Sequence, residues 1–139
     1  MRGTPATAVL SADERNRLTE IARAMLDRAY APYSKFQVGA AILTEAGNVF
    51  TGCNVENASY GLTNCAERTA IFTAVAAEGP NMKLRALLVL TNPVIACSPC
   101  GACRQVIFEF GPKALVIYPG KETLVESTAD QLLPAGFHF

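Results

Sequence analysis

Apolar residues Leu18, Ile21, Ala22, Met25, Leu26 and Ala29 recur every three or four positions, which predicts an amphipathic helix running to Tyr30. Ser11 and Glu14 form a capping box at its start, and Pro32 ends it. The pattern then changes. Phe36 to Thr44 and Val49 to Val55 read as strands around a turn at Glu45 to Asn48 that contains Gly47, so they are expected to pair antiparallel. Asn64 with Glu67 is a second capping pair, opening a helix that runs through Ile71 and Val75 to Gly79-Pro80, with Cys65 in its first turn. Leu84 to Thr91 is an apolar run interrupted only by Arg85 before it ends at Thr91, the mark of a strand covered on both faces. Ser98 and Pro99 read as N-cap and first residue of a third helix, which places Cys100 and Cys103 in its opening turns and ends at Gly111-Pro112. Ala114 to Tyr118 and Thr123 to Ser127 read as further strands, and Thr128 to Leu133 as a short helix capped by Thr128 and Gln131.

The resulting order, α-β-β-α-β-α-β-β-α, predicts an α/β protein: a three-layer α/β/α sandwich around a five-stranded mixed sheet, forming one domain over residues 1–139. Composition agrees, since half the residues are hydrophobic and 17% charged, which excludes a disordered or coiled-coil chain. Twelve basic residues balance twelve acidic ones, so nothing draws this chain to nucleic acid or to an anionic membrane. No stretch approaches the roughly 18 apolar residues of a membrane span, and Met1 to Asp13 lacks the apolar run of a signal peptide. A soluble, cytoplasmic protein is expected. Disulfides are disfavoured in that compartment, so the five cysteines, Cys53, Cys65, Cys97, Cys100 and Cys103, point to metal binding or catalysis.

Cys100 and Cys103 lie three apart on a helix and share a face, so both can reach a metal about 2.3 Å from each sulfur. Cys65, opening another helix, supplies a third thiolate. Structural zinc sites close with four protein ligands, whereas catalytic sites keep a position open, so three ligands favour catalysis. The alternative is a closed four-cysteine site completed by Cys97 or Cys53. Glu67 follows Cys65 by two residues, roughly 200° around a helix, but at a first turn both can bracket a metal beyond the helix tip. There Glu67 can work on a metal-activated water, or it can simply cap the helix. Arg68, three after Cys65, returns to the thiolate face. Three thiolates around Zn²⁺ leave one net negative charge, which hydrogen bonds from Arg68 and Arg104, together with two helix N-termini, would offset. A solvated or ion-paired role is the alternative for each arginine.

Cys65-Ala66-Glu67 and Pro99-Cys100-x-x-Cys103 together resemble the signature of the zinc deaminases, in the variant whose ligands are three cysteines. More closely, the chain resembles the small homotetrameric cytidine deaminases. The likeness is carried by the segments Tyr33 to Ala41, Gly52 to Tyr60, Cys65 to Arg68 and Ser98 to Gln105, and it spans nearly the whole sequence. The resemblance implies one zinc per chain on Cys65, Cys100 and Cys103, with Glu67 passing protons from water to the cytosine ring. It implies that Asn54 and Glu56 bond the 3′-hydroxyl of the ribose, that Phe36 packs on the cytosine ring, and that Ala66 also contacts substrate. Ala58, Tyr60 and Phe137 match positions that enter a neighbouring subunit's site in a homotetramer. The implied reaction converts free cytidine and deoxycytidine to uridine and deoxyuridine in pyrimidine salvage. Its rivals are a deaminase of a related compound such as blasticidin S, a polynucleotide editor, which the absence of basic excess disfavours, and a zinc-stabilised interaction module without chemistry.

Overall fold

The computed structural model describes residues 9–139; Met1–Ala8, part of the segment read above for a signal peptide, lies outside the described residues. The elements are α1 (Ala12–Met25), β1 (Gln37–Thr44), β2 (Val49–Cys53), α2 (Ala66–Glu78), β3 (Leu84–Asn92), α3 (Gly101–Phe110), β4 (Leu115–Pro119), β5 (Leu124–Thr128) and α4 (Ala129–Leu132), in the expected order. Both capping boxes read from sequence at the two ends of the chain are formed, Ser11 with Glu14 and Thr128 with Gln131.

The five strands make one mixed sheet in the order β2-β1-β3-β4-β5, in which β3 and β4 run parallel and the other pairs antiparallel. Side chains along a strand alternate between faces, and the core divides accordingly. Ala41 and Leu43 of β1, with Ala86, Leu88 and Leu90 of β3, pack with Leu18 and Ala22 of α1. Ala40, Ile42, Leu87 and Val89 pack on the other face with Ala66, Ala70, Ile71 and Ala74 of α2 and with Cys103 and Ile107 of α3. The result is the three-layer arrangement, with α1 alone on one side and the two cysteine-bearing helices together on the other. That division explains why β3 reads as a largely apolar run.

Helix α2 is seated against β2 at a glycine. A Cβ on Gly52 would lie 2.3 Å from the carbonyl oxygen of Ala66 and 2.5 Å from the amide nitrogen of Ala70, so only glycine allows the helix to approach this closely. The start of α2, and with it Cys65 and Glu67, is thereby placed by backbone contact.

Two boundaries differ from the expectation, and both shape the functional face. Helix α1 stops at Met25 and continues only as a single 3₁₀ turn, Leu26–Arg28, so that Tyr30 leaves the helix. Strand β2 stops at Cys53. Both changes have one cause: Tyr30 donates its N–H to Asn54 O at 3.0 Å and accepts from Glu56 N–H at 2.8 Å, while Val55 exchanges two backbone bonds with Asn64. Main-chain pairing outside the sheet outweighs continuation of either element. Among the described residues no helix is long and apolar enough to cross a membrane.

Candidate metal centre and active site

Helices α2 and α3 point their N-termini at one place, and each begins on a cysteine. Cys65 is the N-cap of α2, and Cys100 is the N-cap of α3. The expected caps, Asn64 and Ser98, are displaced by one and two residues. Asn64 commits its N–H to Val55 O and its side-chain amide to Thr69 Oγ1, which removes it from capping. At α3 the Cys100 sulfur takes the cap role, accepting the Cys103 N–H at 3.5 Å. The segment before it, including Cys97, is a loop.

Cys65, Cys100 and Cys103 bring their sulfurs within 4.8 Å of one another. Two thiolates on one tetrahedral zinc, each about 2.3 Å from the metal, stand about 3.8 Å apart. The Cys65 and Cys100 sulfurs are 3.8 Å apart. The donor set therefore fits zinc in size and chemistry, with three protein ligands and a fourth position left open. Cys97 and Cys53 are not members of this cluster. The Cys97 N–H is bonded to Pro119 O, and the Cys53 thiol lies 3.5 Å from Arg28 O.

The surrounding groups favour thiolate at Cys65. Its pKa is held down, first by the neighbouring Cys103 thiol and then by the hydrogen bond and charge of Arg68, against the opposing effect of burial. Arg68 Nη2 donates to Cys65 Sγ at 3.3 Å, and the same thiols raise the arginine's own pKa. Arg104 is engaged elsewhere. Its Nε, Nη1 and Nη2 donate to Pro99 O, Leu132 O and Ser98 Oγ at 2.7, 3.0 and 2.8 Å, so it braces the loop before Cys100 instead of meeting a thiolate as expected.

An expected result follows for Arg68→Gln. Loss of its hydrogen bond and charge lets the Cys65 pKa rise, and a ligand that must be deprotonated then takes its proton at higher pH. Zinc should remain at neutral pH, activity should fall, and the pH at which a chelator strips the metal should move upward. An unchanged metal-release profile would remove Arg68 from this role.

Glu67 is the second residue of α2 and is 6% exposed. Burial, with the Cys65 charge adding to it, pushes its carboxyl up to about 7. The capping alternative is closed to it, because the Asn64 N–H that it would accept is bonded to Val55. The centre thus combines a metal-competent thiolate set with one buried carboxyl that can hold or release a proton near neutrality.

Beside it runs the backbone ladder of Tyr30, Val55 and Asn64, which ties the Asn54–Asn57 segment to the residue preceding Cys65. A cleft of about 370 Å³ opens there, lined by Tyr33, Ser34, Glu56, Asn57, Tyr60 and Thr63. Asn54 is buried, with Oδ1 accepting Val38 N–H and Nδ2 donating to Phe36 O. Ala66 is fully buried at the first position of α2, Ala58 is exposed, and Tyr60 sits on a 3₁₀ turn at 77% exposure with its ring 6.2 Å from that of Tyr33. Phe137 is 65% exposed near the C-terminus, where its carbonyl accepts from Gln105. Tyr33, Ser34 and Thr63 were not assigned to the site from sequence; Ser34 lies 22 positions from the carboxylate it binds, a separation that no local spacing rule reaches.

A family model described as the cytidine and deoxycytidylate deaminase zinc-binding region matches residues 12–119. The chain belongs to this family. Relatives include a cytidine deaminase of Sporosarcina psychrophila, 49% identical over 80% of this chain and 82% of the relative. Another, from Halalkalibacterium halodurans, is 50% identical over 78% of this chain and 83% of the relative. Among solved structures, a cytidine deaminase from Burkholderia pseudomallei superposes with a TM-score of 0.80 at 46% identity, covering 92% of this chain and all of the other. A blasticidin-S deaminase of Bacillus cereus is more distant, at 29% identity. Membership of this zinc-binding family and the Cys65, Cys100, Cys103 cluster together assign zinc as the metal.

Proposed function

We propose that the protein hydrolyses free cytidine and deoxycytidine to uridine and deoxyuridine, releasing ammonia, and that it does so as a cytoplasmic homotetramer in pyrimidine salvage. The observation that carries the reading is the buried Glu67 carboxyl beside a three-thiolate centre, in a chain about half identical to named cytidine deaminases. Zinc on Cys65, Cys100 and Cys103 supplies Lewis acidity that makes water a nucleophile near neutral pH. Glu67 accepts a proton from the attacking water, delivers it to ring N3 as C4 becomes tetrahedral, and carries a second proton to the departing amine. A carboxyl titrating near 7 suits both directions of transfer. Arg68 holds Cys65 as thiolate throughout.

Hydrogen-bond capacity supports the sugar contacts. A carboxylate offers about four acceptor sites, and Glu56 fills three of them with Tyr33 N–H, Ser34 N–H and Ser34 Oγ–H. Asn54 has one side-chain N–H left after its Nδ2 donates to Phe36 O, while its Oδ1 accepts the Val38 N–H. A Glu56 acceptor site and an Asn54 N–H are thus both free to meet one hydroxyl, in keeping with the ribose 3′-hydroxyl as their ligand. Phe36 covers the base and Ala66 contacts it from the tip of α2. Ala58, Tyr60 and Phe137 act in a neighbouring subunit's site; the exposure of the Tyr60 and Phe137 rings favours burial by another copy.

Loss of cytidine absorbance, followed on protein of measured mass and zinc content, is the direct test. Turnover in a four-chain particle with one zinc per chain is expected. Turnover of blasticidin S without cytidine would make the protein that relative's counterpart, and full zinc with neither activity would leave a structural zinc module.

A further inference from the structure

Ser34 sits where three stretches of chain meet. Its hydroxyl donates to Glu56 Oε2, and Ser34 Oγ in turn accepts the Phe36 N–H at 3.0 Å. Its own N–H and that of Tyr33 donate to Glu56 Oε1 at 3.2 and 2.9 Å. On the far side of Phe36, the carbonyl accepts from Asn54 Nδ2 at 2.8 Å and Val38 N–H donates to Asn54 Oδ1 at 2.9 Å. Phe36 is therefore pinned at its amide through Ser34 to Glu56 and at its carbonyl through Asn54.

The turn held in this way is a strained one. Lys35 has φ 61°, a left-handed conformation that side chains other than glycine and asparagine rarely take and that persists only where the surroundings impose it. The Ser34 Oγ to Phe36 N–H bond spans Lys35 directly. Neither Ser34 nor Glu56 is a buried residue, so core packing does not fix their rotamers and the hydrogen bonds must.

We infer that Ser34 is a positioning residue that sets affinity for the nucleoside, by locking the Glu56 carboxylate to the Phe36 backbone so that sugar-facing and ring-facing groups form one preorganised unit. The inference rests on the reading of Glu56 and Phe36 as substrate contacts. Preorganisation of this kind lowers the ordering cost of binding without altering the groups that carry out the chemistry. In agreement, the Ser34 hydroxyl is the largest influence holding the Glu56 carboxyl below its ordinary range, with the Tyr33 and Ser34 amides adding to it.

The test is a set of steady-state measurements on zinc-loaded protein. Ser34→Ala is expected to raise the cytidine KM roughly tenfold, the effect of losing a charge-assisted hydrogen bond, with kcat within about twofold and zinc unchanged. Ser34→Thr keeps the hydroxyl and should return KM to within about threefold of the parent. In a Glu56→Ala background, Ser34→Ala should add less than about threefold, because the group through which it acts is gone. An unchanged KM in Ser34→Ala, a loss confined to kcat, or full multiplication of the two effects would overturn the inference. Failure of the parent protein to deaminate cytidine would overturn the functional reading as well, whereas an active parent with a silent Ser34→Ala overturns this inference alone.

Discussion

Glu67→Gln is expected to retain one zinc per chain and its fold while losing at least about 10³-fold in cytidine turnover. The amide keeps the size and one hydrogen-bonding oxygen of the carboxylate, but it cannot take a proton from water or return one to the ring. General acid and base catalysis is worth about 10² to 10⁴ for a single role, and here one group serves successive transfers. The pH profile adds a second readout. Burial pushes the Glu67 carboxyl up to about 7, and only its ionised form can accept the proton of water. The parent's kcat/KM should therefore fall as pH drops through that region, and the residual rate of the variant should lack this limb. Near-parental turnover in fully metallated Glu67→Gln would end the mechanism.

Cys103→Ala is expected to bring zinc from one per chain to below about a tenth and activity to background, while Cys97→Ala keeps both. Cys103 is completely buried in the core cluster that includes Ala66, Ala70 and Ile107, whereas Cys65 is partly buried against that core and Cys100 is exposed. Its loss removes a thiolate that two remaining cysteines cannot replace. Elemental analysis after dialysis against a weak chelator decides the matter. A metal content that depends on Cys97 would restore the closed four-cysteine site.

How much of this was legible from sequence depends on whether the deciding interaction was local. Helix α1 announced its start because Ser11 and Glu14 satisfy each other over three residues. The strands β1 and β3 were visible because each is covered on both sides along most of its length and so is largely apolar. The three-cysteine cluster was legible because helix geometry brings Cys100 and Cys103 together and Cys65 opens a second helix. The N-caps of α2 and α3 were misplaced because capping preferences favour serine and asparagine, whereas the chain starts both helices on cysteine. Arg104 was misassigned for a tertiary reason: the carbonyl of Leu132, 28 residues away, competes for its guanidinium. The shortened α1 and β2 reflect backbone pairing of Tyr30 and Asn64 with Val55, which no periodicity encodes.

That backbone ladder also bears on how such a pocket changes over generations. Tyr30, Val55 and Asn64 are joined through amides and carbonyls alone, and the Val55 side chain itself is 44% exposed. The frame that holds the Asn54–Asn57 segment beside the three-cysteine cluster is therefore carried by main-chain atoms. Substitution of Tyr30 or Val55, or of a residue facing the cleft, is expected to leave these main-chain bonds in place. A lineage built on this frame inherits the chemistry as a fixed part and its choice of substrate as an editable one.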